Sequence, residues 1–359
     1  MRRAIFIIAV FVLSCPLMGR SGLCGGQSPE PNASAPTWVS GLPVYDHIVI
    51  VVEENKNYEE IIGNPKAPYI NNVLKVEGAN LTQMYGEEHY SQGNYFWLFS
   101  GDNQTVGFSD DIPSEKNNPN YPFTARNLGE QLIKKGLSFK GYSEGLPKVG
   151  SIVDEDKDSL YARKHVPWIS FANVPNGDSP ATSSNLGFKE FPSDPSRYET
   201  LPTVAFVIPN LKNDMHNGKI EDSIPAGDLW LRKNIDSYYR WAKNHNSLLI
   251  LTFDENDDKR SYRGLTNPLV DPKDPKSCSG AGRDPEYCLD LQNRIVTIIA
   301  GAHIRAGDYD EGKGITHVNL LRTIEAMYGL SKSGVQQPNA AGGGITDSFI
   351  ITDVFDMAR

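Results

Sequence analysis

Acidic side chains gather where apolar runs end. Ser247-Leu248-Leu249-Ile250-Leu251-Thr252-Phe253 is followed at once by Asp254-Glu255-Asn256-Asp257, and Asp46-His47-Ile48-Val49-Ile50-Val51-Val52 by Glu53-Glu54-Asn55. Runs so short and apolar read as buried parallel strands. In open α/β sheets the chemistry lies at the carboxyl ends of such strands, which makes Glu54, Asn55, Asp254 and Glu255 candidate ligands. Further segments add polar groups: Ser91 and Asn94, where a turn from His89 enters an aromatic helix-like stretch; Asn210 to His216; and His317, which opens a helix. Each alone has a plain structural reading. Ser91 suits a helix cap, the acids suit a solvated turn, and Tyr95, Phe96, Trp97 and Phe99 suit a core. Five such loops expected at one sheet edge favour a site instead.

Carboxylates brought into contact repel by up to ~4 kcal/mol per pair at an effective dielectric near 20. Either one is protonated or a cation sits among them. Oxygen ligands with one amide and a hydroxyl suit one divalent ion such as Mg²⁺, Mn²⁺ or Ca²⁺, with Zn²⁺ or Fe²⁺ admitted if histidine joins. A hydroxyl on such an ion loses its proton readily, so Ser91 becomes a usable nucleophile without a His/Asp relay. Phosphorus is the fitting electrophile, its oxygens met by the ion, Asn94 and backbone amides. His216 or His317 would hydrogen-bond a phosphate or protonate the leaving oxygen.

The elements that must position these groups alternate. Strands are expected at Asp46–Val52, Ala79–Tyr85, Leu137–Tyr142, Thr203–Ile208, Ser247–Phe253 and Arg294–Ala300, and helices at Tyr69–Val76, Ala125–Lys135 capped by Thr124, Asp228–His245 and from Thr316-His317 to Met327. In the third helix, Asp228/Arg232 and Asp236/Arg240 are i,i+4 pairs of an exposed face. This pattern predicts an α/β fold, doubly wound, with a mostly parallel central sheet and helices on both faces. Long excursions over Gly101–Pro122, Glu144–Arg197 and Asn256–Leu291 are expected to rim the site.

Arg2 and Arg3 followed by the ten-residue apolar run Ala4–Leu13 read as a signal segment, too short to span a bilayer. Cys15 after Val12-Leu13-Ser14 resembles a lipoprotein cleavage box and is a candidate lipid anchor. The expected organisation is a signal over 1–24, a flexible leader over 25–43 and one domain over 44–359, in an exported protein that is periplasmic, extracellular or anchored to the cell envelope. Cys278 and Cys288 are expected to form a disulfide in an oxidising compartment. The net charge of −9 becomes −12 without residues 1–24, whose only charges are Arg2, Arg3 and Arg20. That balance speaks against nucleic acid or an anionic surface as a partner.

Glu54-Asn55-Lys56-Asn57-Tyr58, His89-x-Ser91-x-x-Asn94-Tyr95, Pro209-Asn210-x-x-x-Asp214-Met215-His216, Thr252-Phe253-Asp254-Glu255 and His317-x-x-Leu320-Leu321-Arg322-Thr323-Ile324-Glu325 together resemble the phosphoesterase family of secreted acid phosphatases and bacterial-type phospholipases C. That family lies within the alkaline phosphatase superfamily, and the resemblance covers about Tyr45 to Leu330. It implies that Glu54, Asn55, Asp254 and Glu255 hold one divalent metal together with Ser91, which becomes transiently phosphorylated. Asn94, His216 and His317 would contact the phosphoryl group, and His89 the substrate. Relatives more often read His-Pro-Ser-x-Pro-Asn where this chain has His89-Tyr90-Ser91-Gln92-Gly93-Asn94, a less rigid loop. The resemblance implies an acid phosphatase-type phosphomonoesterase acting on a small phosphate ester. A phospholipase C or other phosphodiesterase is the first alternative, and a catalytically silent secreted binding protein the second.

Overall fold

The computed structural model describes residues 41–88, 90–106, 109–257, 293–309, 315–334 and 349–356. The signal segment with Cys15, the leader up to residue 40, the Cys278–Cys288 pairing and His89 therefore lie outside the described residues, as does nearly all of the Asn256–Leu291 excursion.

In chain order the strands are β1 (His47–Glu53), β2 (Ala79–Leu81), β3 (Met84–Tyr85), β4 (Phe139–Ser143), β5 (Glu155–Asp156) and β6 (Tyr161–Ala162), then β7 (Asn185–Gly187), β8 (Val204–Ile208), β9 (Ser247–Phe253), β10 (Thr297–Gly301), β11 (Gly307–Tyr309) and β12 (Ile315–Thr316). Eight of them form one sheet in the order β11-β2-β10-β9-β1-β8-β4-β7. From β9 to β7 every pairing is parallel. Beyond β9 the sheet turns mixed, because β10 runs antiparallel to both β9 and β2. The apolar runs behave as buried parallel strands should: Ile48 to Val52, Val204 to Ile208 and Leu248 to Leu251 are all buried. Helices cover the sheet: Asp236–Ala242 packs on β9 and β10, and Leu128–Lys134 on β4. Among the described residues, no helix is long and apolar enough to cross a membrane.

Two helices differ from the reading above. Asn127, not Thr124, caps the first, its side-chain oxygen accepting from Glu130 N at 2.8 Å, so that helix begins at Leu128. The expected helix Asp228–His245 is two, Ile220–Asn234 and Asp236–Ala242. Asp228 is buried rather than on an exposed face. Its carboxylate accepts from Tyr69 N at 3.0 Å and Ile70 N at 2.8 Å, satisfying amides at the start of the turn Ile70–Leu74. Asp236 and Arg240 do pair at the surface, at 3.2 Å.

Candidate active site

Three adjacent parallel strands deliver the site, and backbone bonds fix their ends. Asp254 N donates to Glu53 O at 3.0 Å and Glu54 N to Asp214 O at 2.7 Å, which ties the loops after β9, β1 and β8 into one platform. Two residues of that platform hold backbone conformations that L side chains rarely adopt, Asn55 at φ 45° and Met215 at φ 74°. Such strain persists where the surroundings enforce it, as at functional sites. Met215 is held by packing on Gly227, where a Cβ would lie 2.4 Å from its Cγ.

Ser91 begins the helix Ser91–Ser100, but it does not cap it. Tyr90 occupies the cap position, and the buried Ser91 hydroxyl donates to Glu54 Oε2 at 3.0 Å. The other oxygen, Glu54 Oε1, accepts from the Tyr95 hydroxyl at 2.6 Å. Tyr95 is thus both core and site. Asn55 N donates to Asp254 Oδ1 at 3.1 Å. With its amide nitrogen turned inward, Asn55 also donates to Glu54 Oε2 at 3.0 Å and Glu255 Oε1 at 3.3 Å.

Glu54, Asp214, Asp254 and Glu255 are all buried, and burial is the main reason each carboxyl is pushed above its ordinary pKa. Their mutual repulsion adds to it: Asp254 raises the other three, and Asp214 raises Glu54. Lys164 pulls all four the other way.

The structure thus brings Glu54, Asn55, Ser91, Asp254 and Glu255 together. His216 stands at the rim, half-buried, with Nδ1 3.0 Å from Asn217 Oδ1 and its backbone N–H donating to Asp214 Oδ1 at 2.8 Å. Asn94 is committed elsewhere: its Oδ1 accepts from Glu87 N at 2.9 Å and Glu88 N at 3.1 Å, and its Nδ2 donates to Glu88 O at 2.5 Å. It shapes the loop that presents Ser91. Gly93 leaves room for the buried Glu88 side chain, whose Oε1 would lie 1.3 Å from an added Cβ. His317 is buried with both ring nitrogens engaged, Nδ1 2.7 Å from Glu87 Oε2 and Nε2 2.8 Å from Phe253 O. Burial pulls its pKa down, but Glu87 and the Phe253 carbonyl outweigh that and the net shift is upward.

Two site residues went unread in the sequence. His165 stacks on Tyr95 with ring centroids 4.9 Å apart, and its Nε2 lies 3.2 Å from Glu54 Oε1. Burial, then Lys164 and His216, push its pKa well below the usual histidine range. Lys164 adjoins it. Both sit in the aperiodic Glu144–Arg197 excursion, where the only clue was the basic triplet Arg163-Lys164-His165 in an otherwise acidic stretch.

The Phosphoesterase family matches residues 68–331. A Mycobacterium tuberculosis protein named phosphatidylinositol-3-phosphatase is 41% identical over 310 residues, covering 86% of this chain and 84% of that one. A probable acid phosphatase of Kluyveromyces lactis is 29% identical over 248 residues, 68% of this chain and 55% of its own length. In fold, the chain is similar to an alkaline phosphatase superfamily protein from Vibrio parahaemolyticus, with a TM-score of 0.51 at 12% identity, covering 84% of this chain and 72% of that one. By sequence, the chain belongs to the Phosphoesterase family and is a phosphoric ester hydrolase.

Proposed function

We propose that the protein is an exported, metal-dependent phosphomonoesterase that works through a phosphoserine on Ser91. The observation that carries this reading is the Ser91 hydroxyl, spared from helix capping and bonded to a buried carboxylate within a cluster of three more. The name of the Mycobacterium tuberculosis relative makes a phosphoinositide head group a candidate substrate class beside small soluble esters. Export rests on the signal pattern of residues 1–24, with one catalytic domain following the leader.

The donor set fits a hard divalent ion. When the Asn55 amide presents its oxygen, that atom stands 3.0 Å from Glu54 Oε2 and 3.3 Å from Glu255 Oε1, and Ser91 Oγ is 3.0 Å from the same Glu54 oxygen. Neighbouring oxygens about 3.0 Å apart are what an octahedral ion with bonds of about 2.1 Å collects. Asp254 Oδ2 is a buried oxygen with no hydrogen-bond partner among the described residues. No group of three or more His, Cys, Asp or Glu among the described residues is arranged to hold an ion; in this reading Ser91 and Asn55 would complete the donor set. A bound ion would supply charge for the phosphoryl oxygens and lower the pKa of the hydroxyl.

The chain's own residues do the rest. Ser91 Oγ attacks phosphorus as the ester P–O bond breaks, and its proton passes to Glu54 Oε2. His216 at the rim protonates the departing oxygen. Tyr95 holds Glu54 in place through its 2.6 Å hydrogen bond. Water then attacks the phosphoserine: His216 takes back a proton from the water, the Oγ–P bond breaks, and Ser91 Oγ recovers its proton from Glu54 as inorganic phosphate leaves.

Two readouts check the ion. Hydrolysis of a chromogenic phosphate monoester is expected to vanish with chelator and return with Mg²⁺, Mn²⁺ or Ca²⁺, while the matching diester is a poor substrate. Turnover unaffected by chelator would overturn the metal, and cleavage of the diester alone would overturn the monoesterase. The second is stability. The raised carboxyls favour the metal-free fold below their unfolded pKa, and that contribution is lost as pH rises through the folded values. Added ion should therefore raise Tm more at about pH 8 than at about pH 5.

A further inference from the structure

Lys164 lies on the 3-10 turn Arg163–His165 with its side chain only 20% exposed, an uncommon place for a lysine. Its Nζ is 2.8 Å from Asp110 Oδ2. The other oxygen of that carboxylate, Oδ1, accepts from the backbone N–H of Gln92 at 3.2 Å. Gln92 directly follows Ser91, and its amide belongs to the first helical turn, where N–H groups have no partner within the helix. The Gln92 side chain steadies the same loop, Nε2 donating to Asp111 O at 2.9 Å and Ser109 O at 3.3 Å. A carboxylate of the chain itself thus rests between an ammonium and a helix-start amide, one residue from the proposed nucleophile. The same lysine is the cation common to Glu54, Asp214, Asp254 and Glu255.

Building on the phosphomonoesterase reading, we infer that Lys164 holds the phosphoryl group of the incoming monoester, and that Asp110 is its resting counter-ion, displaced when the substrate's oxygens arrive. A monoester dianion entering beside four carboxylates needs compensating charge at close range. A lysine supplies it as a compact ammonium on a flexible stem, able to turn from one anion to the next without standing unpaired. Exchange of one anion for another spares the lysine a desolvation penalty. Because a dianion draws on the ammonium more than a monoanion does, Lys164 sets the preference for monoesters over diesters.

The test compares Lys164→Met, Lys164→Arg and Asp110→Asn with the wild-type holoenzyme, reading KM and kcat for a chromogenic monoester and diester, and Ki for inorganic phosphate. Calorimetric binding of inorganic phosphate to Ser91→Ala, with and without Lys164→Met, gives a readout free of turnover. Lys164→Met should raise monoester KM and phosphate Ki by about tenfold or more, with a smaller change on the diester. Lys164→Arg should recover part of that loss. Asp110→Asn removes the competing anion and should lower both constants. If Lys164→Met and Asp110→Asn shift Tm but leave KM, Ki and phosphate binding unmoved, the pair only ties two loops and the inference is overturned. Absence of monoester turnover in the wild-type protein would instead defeat the phosphomonoesterase reading, and this inference with it.

Discussion

Ser91→Ala is expected to lower monoester turnover by about a thousandfold or more while leaving the fold intact. The two halves of that expectation come from one observation. The hydroxyl does not cap the helix, since Tyr90 holds the cap position, so its removal frees no helix-start amide. Its hydrogen bond goes to Glu54, which keeps Tyr95 as a donor at 2.6 Å. The variant should therefore melt within a few degrees of the parent and still bind inorganic phosphate. Measured kcat with thermal melting in parallel checks both halves. Activity that survives would mean that another group attacks phosphorus.

His317→Leu is expected to cost about 3–5 kcal/mol of stability, the usual price of stranding one member of a buried charged pair. Glu87 would lose its 2.7 Å partner and the Phe253 carbonyl its 2.8 Å donor, both out of water. The Phe253 carbonyl immediately precedes Asp254, so the β9 end that carries a proposed ligand loses its anchor and activity should fall as well. The pH dependence has a definite sign. His317 has a raised pKa in the fold, so its contribution is complete below its unfolded pKa of about 6.5 and fades as pH rises through the folded value. Denaturant midpoints of parent and variant should thus differ most in mild acid and less at high pH, where the charge-dependent part is gone. Equal midpoints throughout would refute the anchoring role.

The site was legible in the sequence where it sits on strand ends. β1 and β9 announce themselves by composition, and their acids follow without a break, so burial and position were both implied. His317 was legible as a helix start, with Thr316 as its cap residue. Its partners were not, since Glu87 is 230 residues away and only the fold brings the two together. Lys164 and His165 were missed for the same reason, in a stretch without helical or strand periodicity. Asn94 illustrates the converse case. Its place in a motif suggested a ligand contact, yet its amide is committed to the backbone of the loop before Ser91. Residue type narrows what a side chain can do, but neighbours distant in sequence decide which of those things it does.

The covalent state of Ser91 during turnover tests the account most directly. The holoenzyme, mixed with excess chromogenic monoester, quenched in acid and digested, should yield a peptide with phosphate on Ser91 by mass spectrometry. Phosphate on a different residue, or none at any quench time while turnover proceeds, would contradict a mechanism that runs through this serine.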